Sequence, residues 1–384
     1  MPSLIPEDLT QAGTHALVIG VSRYRHFEDG DEPTASGAEF GMEQLSAAAR
    51  SASQFAAWLL NEYRCKRAPL RSLRVLLSPS DGEVISPAIA ALLNGDTSAR
   101  LENVRVALKD FRHACDTHVE NVAIVYVAGH GVQLTKHGAI LLLTDFGAPG
   151  QLARLEGAVD MAGIHAGMNH PTTARTQFWF VDACRQRPAI ARRFETLEGA
   201  LKLDVPNGDT ETSPMFLAAT TGKAAYARVG GVTLFNEALM WSLRGGAASG
   251  PEDEGVDCWH VPVTALIKRL PDRVKALALG EQAEQSVDIA GKIHEAAVHE
   301  FAAAPHVDVN IDVDPAPARH ACRATLRQSE EAVVVENYTA WPLQRPVEAG
   351  LYALNIAADA PYKSYNELLF VRPPAMTRQV KVAP

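Results

Sequence analysis

The sequence predicts an α/β protein: a mostly parallel sheet flanked by helices, followed by a small C-terminal antiparallel β-sandwich. Three observations carry this expectation. Continuous apolar runs of strand length recur along most of the chain, as strands buried on both faces require. Amphipathic stretches of helical period separate them, the alternation of a sheet covered on both sides. From about Pro305 the texture changes to short alternating runs broken by Pro, Gly and Asp, the pattern of antiparallel strands with one buried face.

The elements follow in order. HALVIGVSRY (15–24) opens as a strand, and a helical pattern runs from about Glu39 to Tyr63 with Phe40, Leu45, Ala48, Ala52, Phe55, Leu59 and Leu60 on one face. LRSLRVLLS (70–78) is a second strand and LENVRVALKDFRHAC (101–115) a second amphipathic helix. NVAIVYVAG (121–129) is the third strand, with a short AILLL strand at 139–143 and a helix near 157–168. TQFWFVDAC (176–184) and PMFLAAT (214–220) complete the apolar strands, and helices follow at 234–243 and 262–279. VDVNIDV, ACRATL, AVVVEN, LYALNIAA, NELLFVR and RQVKV form the sandwich. With 384 residues the chain exceeds one typical core, so two domains are expected, 1–295 and 305–384, with the boundary near 295–306.

Bulk chemistry removes several function classes. A formal charge of −9 leaves no basic footprint for nucleic acid. Cysteines stand at 65, 115, 184, 258 and 322, scattered and without C-x-x-C spacing, so neither a disulfide framework nor a structural zinc site is indicated. A reducing, cytoplasmic setting is expected. The opening MPSLIPEDLTQAG lacks a signal-peptide pattern, and no apolar run is long enough to span a membrane. No glycine-rich phosphate loop follows any strand, and no G-x-S-x-G elbow occurs. No cofactor and no metal are called for. The acidic run FEDGDE (27–32) does not have the ligand spacing of a calcium loop, so calcium activation is not indicated.

Chemistry concentrates at two strand ends. The third strand ends VYVAGHGVQL and the fourth FWFVDACRQR. Parallel sheets present functional groups just beyond the carboxyl ends of their strands. His130 and Cys184 are therefore expected to emerge at one edge, where an imidazole beside a thiol serves as base or ion-pair partner. Gly131 lets a backbone N–H approach a substrate carbonyl, and with the N–H of Cys184 it would form an oxyanion hole. Taken singly, the cysteine also reads as a small packing residue and the histidine as a turn residue. One cysteine-protease class places its histidine about 50 residues upstream of the cysteine, the interval seen here.

These motifs, with ALVIGVSRY, FLAATTGKAAYA and GGVTLFNEALMWSLRG, resemble the caspase-like peptidases, the clan of caspases, metacaspases and many bacterial relatives. The likeness covers about residues 12–290 and leaves the C-terminal β region outside. It implies a Cys-His dyad in which Cys184 attacks the scissile carbonyl and His130 protonates the leaving amine. It also implies that Asp182, two residues before the cysteine as in metacaspases, lines the primary pocket and selects Arg or Lys. The metacaspase pattern has a second pocket Asp in the first helix; the matching position in LSAAARSA (45–52) is Ser51, a departure that weakens the basic preference or shares it with acids such as those in FEDGDE. Arg187, Arg192 and Arg193, in the polar stretch after Cys184, match that preference and read either as a self-processing site or as a solvated loop whose arginines aid solubility. A polypeptide with a basic residue before the scissile bond is the expected substrate, and the C-terminal β domain a surface for a protein partner. The resemblance further implies a role in stress, cell-death or antiviral-defence pathways. The competing reading is a catalytically silent scaffold that binds proteins.

Overall fold

The computed structural model describes residues 2–38, 40–133, 138–184, 197–206, 212–219, 225–228, 230–251, 258–329 and 332–383. The chain divides into two compact units, Met1–Met240 with Leu270–Val298, and Trp241–Arg269 with His299–Pro384. In chain order the elements begin β1 (Thr14–Val21), α1 (Ala35–Ala38), α2 (Ala48–Asn61), β2 (Leu70–Ser78), α3 (Pro87–Ala90), α4 (Leu101–Cys115) and β3 (Val122–Gly129). They continue β4 (Gly131–Val132), β5 (Ile140–Leu142), β6 (Ala158–Asp160), α5 (Met161–Gly167), β7 (Thr176–Ala183), β8 (Met215–Leu217) and α6 (Leu234–Trp241). Next come β9 (His260–Pro262), α7 (Val263–Gly280), β10 (Asp288–Ala290), β11 (Ala297–Glu300) and β12 (His306–Asp314). The last are β13 (Cys322–Arg327), β14 (Val333–Tyr338), β15 (Leu343–Glu348), β16 (Gly350–Ala358), β17 (Tyr365–Val371) and β18 (Ala375–Lys381).

The first unit is built on a six-stranded sheet in the order β10-β8-β7-β3-β1-β2. The four pairings from β8 to β2 are parallel, and β10 joins β8 antiparallel. Side-chain alternation divides the strands between two covers. Leu17, Ile19, Val125, Val127, Trp179 and Val181 share a core with Val104, Leu108 and Phe111 of α4. The other face lies under α2, whose small residues let it come close. A Cβ at Gly20 would sit 2.8 Å from the Cα of Ala49 and 2.6 Å from the Cβ of Ala52. On this face Phe55 stacks on Tyr126 at 4.7 Å and tilts against Phe180 at 5.6 Å. By the same alternation, Asp182, two positions after Phe180, also points to the α2 side. A separate three-stranded antiparallel sheet, β4-β5-β6, takes up the AILLL strand.

One expected helix is shorter than its pattern. Helical structure begins at Ala48 rather than near Glu39. Gly41 has φ of +60°, and Leu45 donates its N–H to the Ser22 carbonyl at 2.9 Å, which ties this stretch to the end of β1. The side chain of Gln44 accepts the Tyr24 N–H at 2.7 Å and donates to the Tyr24 carbonyl at 2.8 Å. Tertiary hydrogen bonds thus override a helical spacing.

In the second unit, β15-β12-β18 and β14-β13-β16-β17 form two sheets around one core that includes Val309, Ile311, Leu326, Leu354, Ile356 and Leu369. The sandwich is antiparallel except that β12 pairs in parallel with β18. β15 is a strand beyond the six expected runs; it carries Pro346 and lies at a sheet edge, where a missing N–H is tolerated. No described helix is long and apolar enough to cross a membrane.

Candidate active site

β3 and β7 pair in parallel with Gly129 opposite Ala183. The next residues, His130 and Cys184, therefore leave the sheet side by side at its carboxyl edge. Both line one cavity of about 200 Å³, walled by Gln44–Ala48, Ala225–Ala227 and Thr233. That volume is below the range of pockets for whole small molecules and fits a single long side chain.

His130 is held at three points. Its N–H donates to the Tyr24 hydroxyl at 2.7 Å, and its ring packs against Tyr24 and Phe27 with centroids 4.9 and 5.9 Å away. Nε2 lies 2.6 Å from the Glu43 carbonyl. A carbonyl only accepts, so Nε2 carries the proton and Nδ1 keeps its lone pair. Burial lowers the imidazole pKa, with the Glu43 carbonyl pulling the other way. The ring is neutral at pH 7.

Cys184 is half-buried, and its Sγ accepts the N–H of Ala225 at 3.2 Å. Burial pushes the thiol pKa up, the Ala225 N–H draws it back, and the charge of Asp182 adds to the rise. Among the described residues no hydrogen bond joins the thiol to the imidazole. Burial of both groups accordingly favours the neutral thiol and the neutral ring over a preformed ion pair.

Asp182 closes the cavity floor and is 2% exposed. Its Oδ2 accepts the Tyr126 hydroxyl at 2.7 Å and the Thr233 hydroxyl. Its Oδ1 is buried with no hydrogen-bond partner among the described residues. Burial raises the carboxyl pKa to about 6, against the two hydroxyl hydrogen bonds that lower it. Thr233 is itself fixed, because its Oγ1 accepts the N–H of Asn236 at 3.1 Å as the cap of α6. Ser51 sits behind this wall, fully buried. Its Oγ accepts the Thr233 N–H at 2.9 Å, and its carbonyl accepts Asn236 Nδ2 at 3.1 Å. The same Nδ2 reaches the Tyr126 hydroxyl at 3.2 Å.

A model of the caspase domain matches residues 14–286, a span that contains every residue of this cavity. The chain belongs to the caspase family. It carries that family's cysteine peptidase domain, whose substrates are polypeptides. Comparison with curated proteins returns no match.

Within this caspase domain His130, Cys184 and Asp182 come together, whereas Ser51 and Gly131 do not line the cavity. Gly131 begins β4 opposite Leu141, and a Cβ there would stand 2.3 Å from the Cys184 carbonyl. Only glycine lets the histidine strand pass so close to the cysteine strand. Arg187, Arg192 and Arg193 lie outside the described residues. The acids of FEDGDE do not line the cavity either; Asp31 pairs with Arg23 at 2.5 Å and Glu32 with Arg25 at 2.6 Å. Sequence reasoning missed Tyr24, Tyr126, Thr233, Asn236 and the Glu43 carbonyl. One signal was available for Asn236: an amide on the apolar face of LFNEALMW needs a buried partner.

Proposed function

We propose that this caspase domain is an endopeptidase that cuts after Arg or Lys, with Cys184 as nucleophile and His130 as its proton acceptor and donor. The observation that carries the reading is the unpartnered Oδ1 of Asp182, buried at the floor of the cavity that holds both residues. A buried acceptor without a partner costs about 1–3 kcal/mol. A substrate cation offsets that cost, and an acidic side chain would add like-charge repulsion.

The step follows from the two neutral groups. The Sγ electron pair attacks the scissile carbonyl carbon while the thiol proton passes to Nδ1 of His130. The carbonyl π electrons move to oxygen, and the backbone N–H groups of Gly131 and Cys184 are the donors we assign to that oxyanion. Collapse expels the amine, which takes the proton from the imidazolium. Water, giving its proton to the same ring, then releases the acyl group. Cys184 has to stay reduced for this chemistry, which supports a reducing, cytoplasmic setting.

Self-processing at Arg187, Arg192 or Arg193 belongs to the same proposal, as does a place in stress, cell-death or antiviral-defence signalling. A fluorogenic peptide library varied at the residue before the scissile bond tests the reading. Hydrolysis confined to Arg and Lys, lost in Cys184→Ala, supports it. A profile dominated by acidic residues, or full activity in Cys184→Ala, overturns it. Intact mass of the active protein against Cys184→Ala reads self-cleavage separately.

A further inference from the structure

Ala225 carries the N–H that meets the Cys184 sulfur at 3.2 Å, yet it lies in no helix or strand. Its place is set by a buried amide. Gln285, 3% exposed and located between α7 and β10, accepts the Tyr226 N–H on Oε1 at 3.0 Å. Through Nε2 it donates to the Ala218 carbonyl at 2.9 Å. Ala218 in turn donates its N–H to the Val181 carbonyl of β7 at 2.9 Å. A closed circuit results: from β7 through Ala218, Gln285, Tyr226 and Ala225 back to Cys184, three residues after Val181. Two further ties steady the same segment. Leu234 donates its N–H to the Tyr226 carbonyl at 2.9 Å, and the Arg228 guanidinium bridges Glu237 and Glu281.

We infer that Gln285 is a positioning residue for Cys184, holding Tyr226 so that the Ala225 N–H stays on the sulfur. The inference rests on Cys184 being the nucleophile. An amide suits the place because one contact needs an acceptor and the other a donor, both toward main chain. Buried as it is, it is tolerated only with both ends satisfied. An N–H aimed at sulfur stabilises the thiolate more than the thiol. It works against burial and against the Asp182 charge, both of which favour the thiol. Among the described residues, the titratable groups around the sulfur are His130 beyond β3, Asp182 on β7, Tyr24 beyond β1 and Tyr226 in the cavity wall.

The test is the pH dependence of Cys184 alkylation by iodoacetamide, read by peptide mass so that Cys258 and the buried thiols are counted apart. Gln285→Met keeps length and volume while removing both hydrogen bonds. Its alkylation midpoint is expected to move to higher pH, with a rate about fivefold lower at about pH 7. The rates should converge at a pH above both titrations, which a general structural defect would not produce. Ala225→Pro removes the donor itself and should give the same shift. The double variant should lose no more than either single one, because both act through the seating of Ala225 on the sulfur, whose N–H donates to Sγ at 3.2 Å and whose carbonyl accepts the thiol at 3.8 Å. If a thermal melt shows Gln285→Met unfolded, Gln285→Asn, which withdraws the amide by one methylene, carries the same expectation. An unmoved midpoint in a folded Gln285 variant, or additive losses, overturns the brace and leaves the peptidase reading intact. An unsubstituted protein whose Cys184 resists alkylation at every pH while Cys258 reacts overturns both.

Discussion

At the cavity, the neutral thiol and the neutral imidazole divide the work unequally. Cys184→Ala removes the atom proposed to attack and, being small for small, should leave the melting temperature within a few degrees while abolishing turnover. His130→Ala removes the proton acceptor and should lower kcat by about 10²–10⁴-fold. Steady-state kinetics on an Arg substrate, beside a melt, check both. Asp182 makes a sharper prediction. Its carboxyl pKa rises from 3.8 to about 6 in the folded chain. Below the lower value both folded and unfolded chains hold the proton, and no stability is lost. Between about pH 3.8 and about 6 the unfolded chain has released its proton while the folded chain still holds it, so stability falls across that window, by about 3 kcal/mol, and stays level above it, where the native state carries the buried charge. Asp182→Asn should therefore be more stable than the parent at pH 7 and equal to it at acid pH, by urea unfolding at each pH. Asparagine keeps an acceptor for the Tyr126 and Thr233 hydroxyls but loses the charge. Its preference for Arg should fall, and kcat/KM of the parent on Arg substrates should rise through about pH 6. A parent whose selectivity is flat from pH 5 to 8 would falsify the assignment of Asp182 to the pocket.

Among the elements, the crossing of β4 over the end of β7 is the tightest constraint on the site. Gly131→Ala places a Cβ 2.3 Å from the Cys184 carbonyl and 2.8 Å from the Ala183 Cβ. The backbone has to give way, at about 1–3 kcal/mol. Because the displaced atoms belong to the proposed nucleophile, kcat/KM should drop by more than the stability loss alone predicts; paired melting and kinetic measurements read this. The strands that frame the site were legible as apolar runs because burial on both faces makes most of their positions apolar; the buried exceptions, such as Gln177 and Asp182 on β7, each find hydrogen-bond partners. α4 was legible residue for residue, since its apolar face lies against one sheet and its polar face is open. The wall at Gln44–Ala48 was not. Phe40, Leu45 and Ala48 fit a helical period, but Gln44 spends its amide on the Tyr24 backbone. Likewise, His130 and Cys184 stood out as residue types at strand ends, while the Glu43 and Ala225 backbone groups that hold them carry no side-chain signature at all. β15 was not read either; it carries Pro346, which a strand admits only when no neighbour needs its N–H.

At the scale of the whole molecule, the units are interleaved in sequence: Trp241–Arg269 groups with His299–Pro384, although it interrupts the first unit. A chain ending at residue 298 keeps Trp241–Arg269 but removes the rest of its unit. We expect its melting midpoint to fall by about 5 °C or more relative to the full chain; calorimetry on the two proteins decides it, and an unchanged midpoint would refute the interleaving. The same interleaving sets a schedule on the ribosome. His130 and Cys184 leave the exit tunnel early, yet β10 and the Gln285 that grips Ala218 and Tyr226 are synthesised only after the Trp241–Arg269 excursion. Contacts of such long sequence separation form late. A growing chain therefore carries the thiol and imidazole without a finished wall around them, and the proposed cutting power arrives only once Gln285 and β10 have been made and docked.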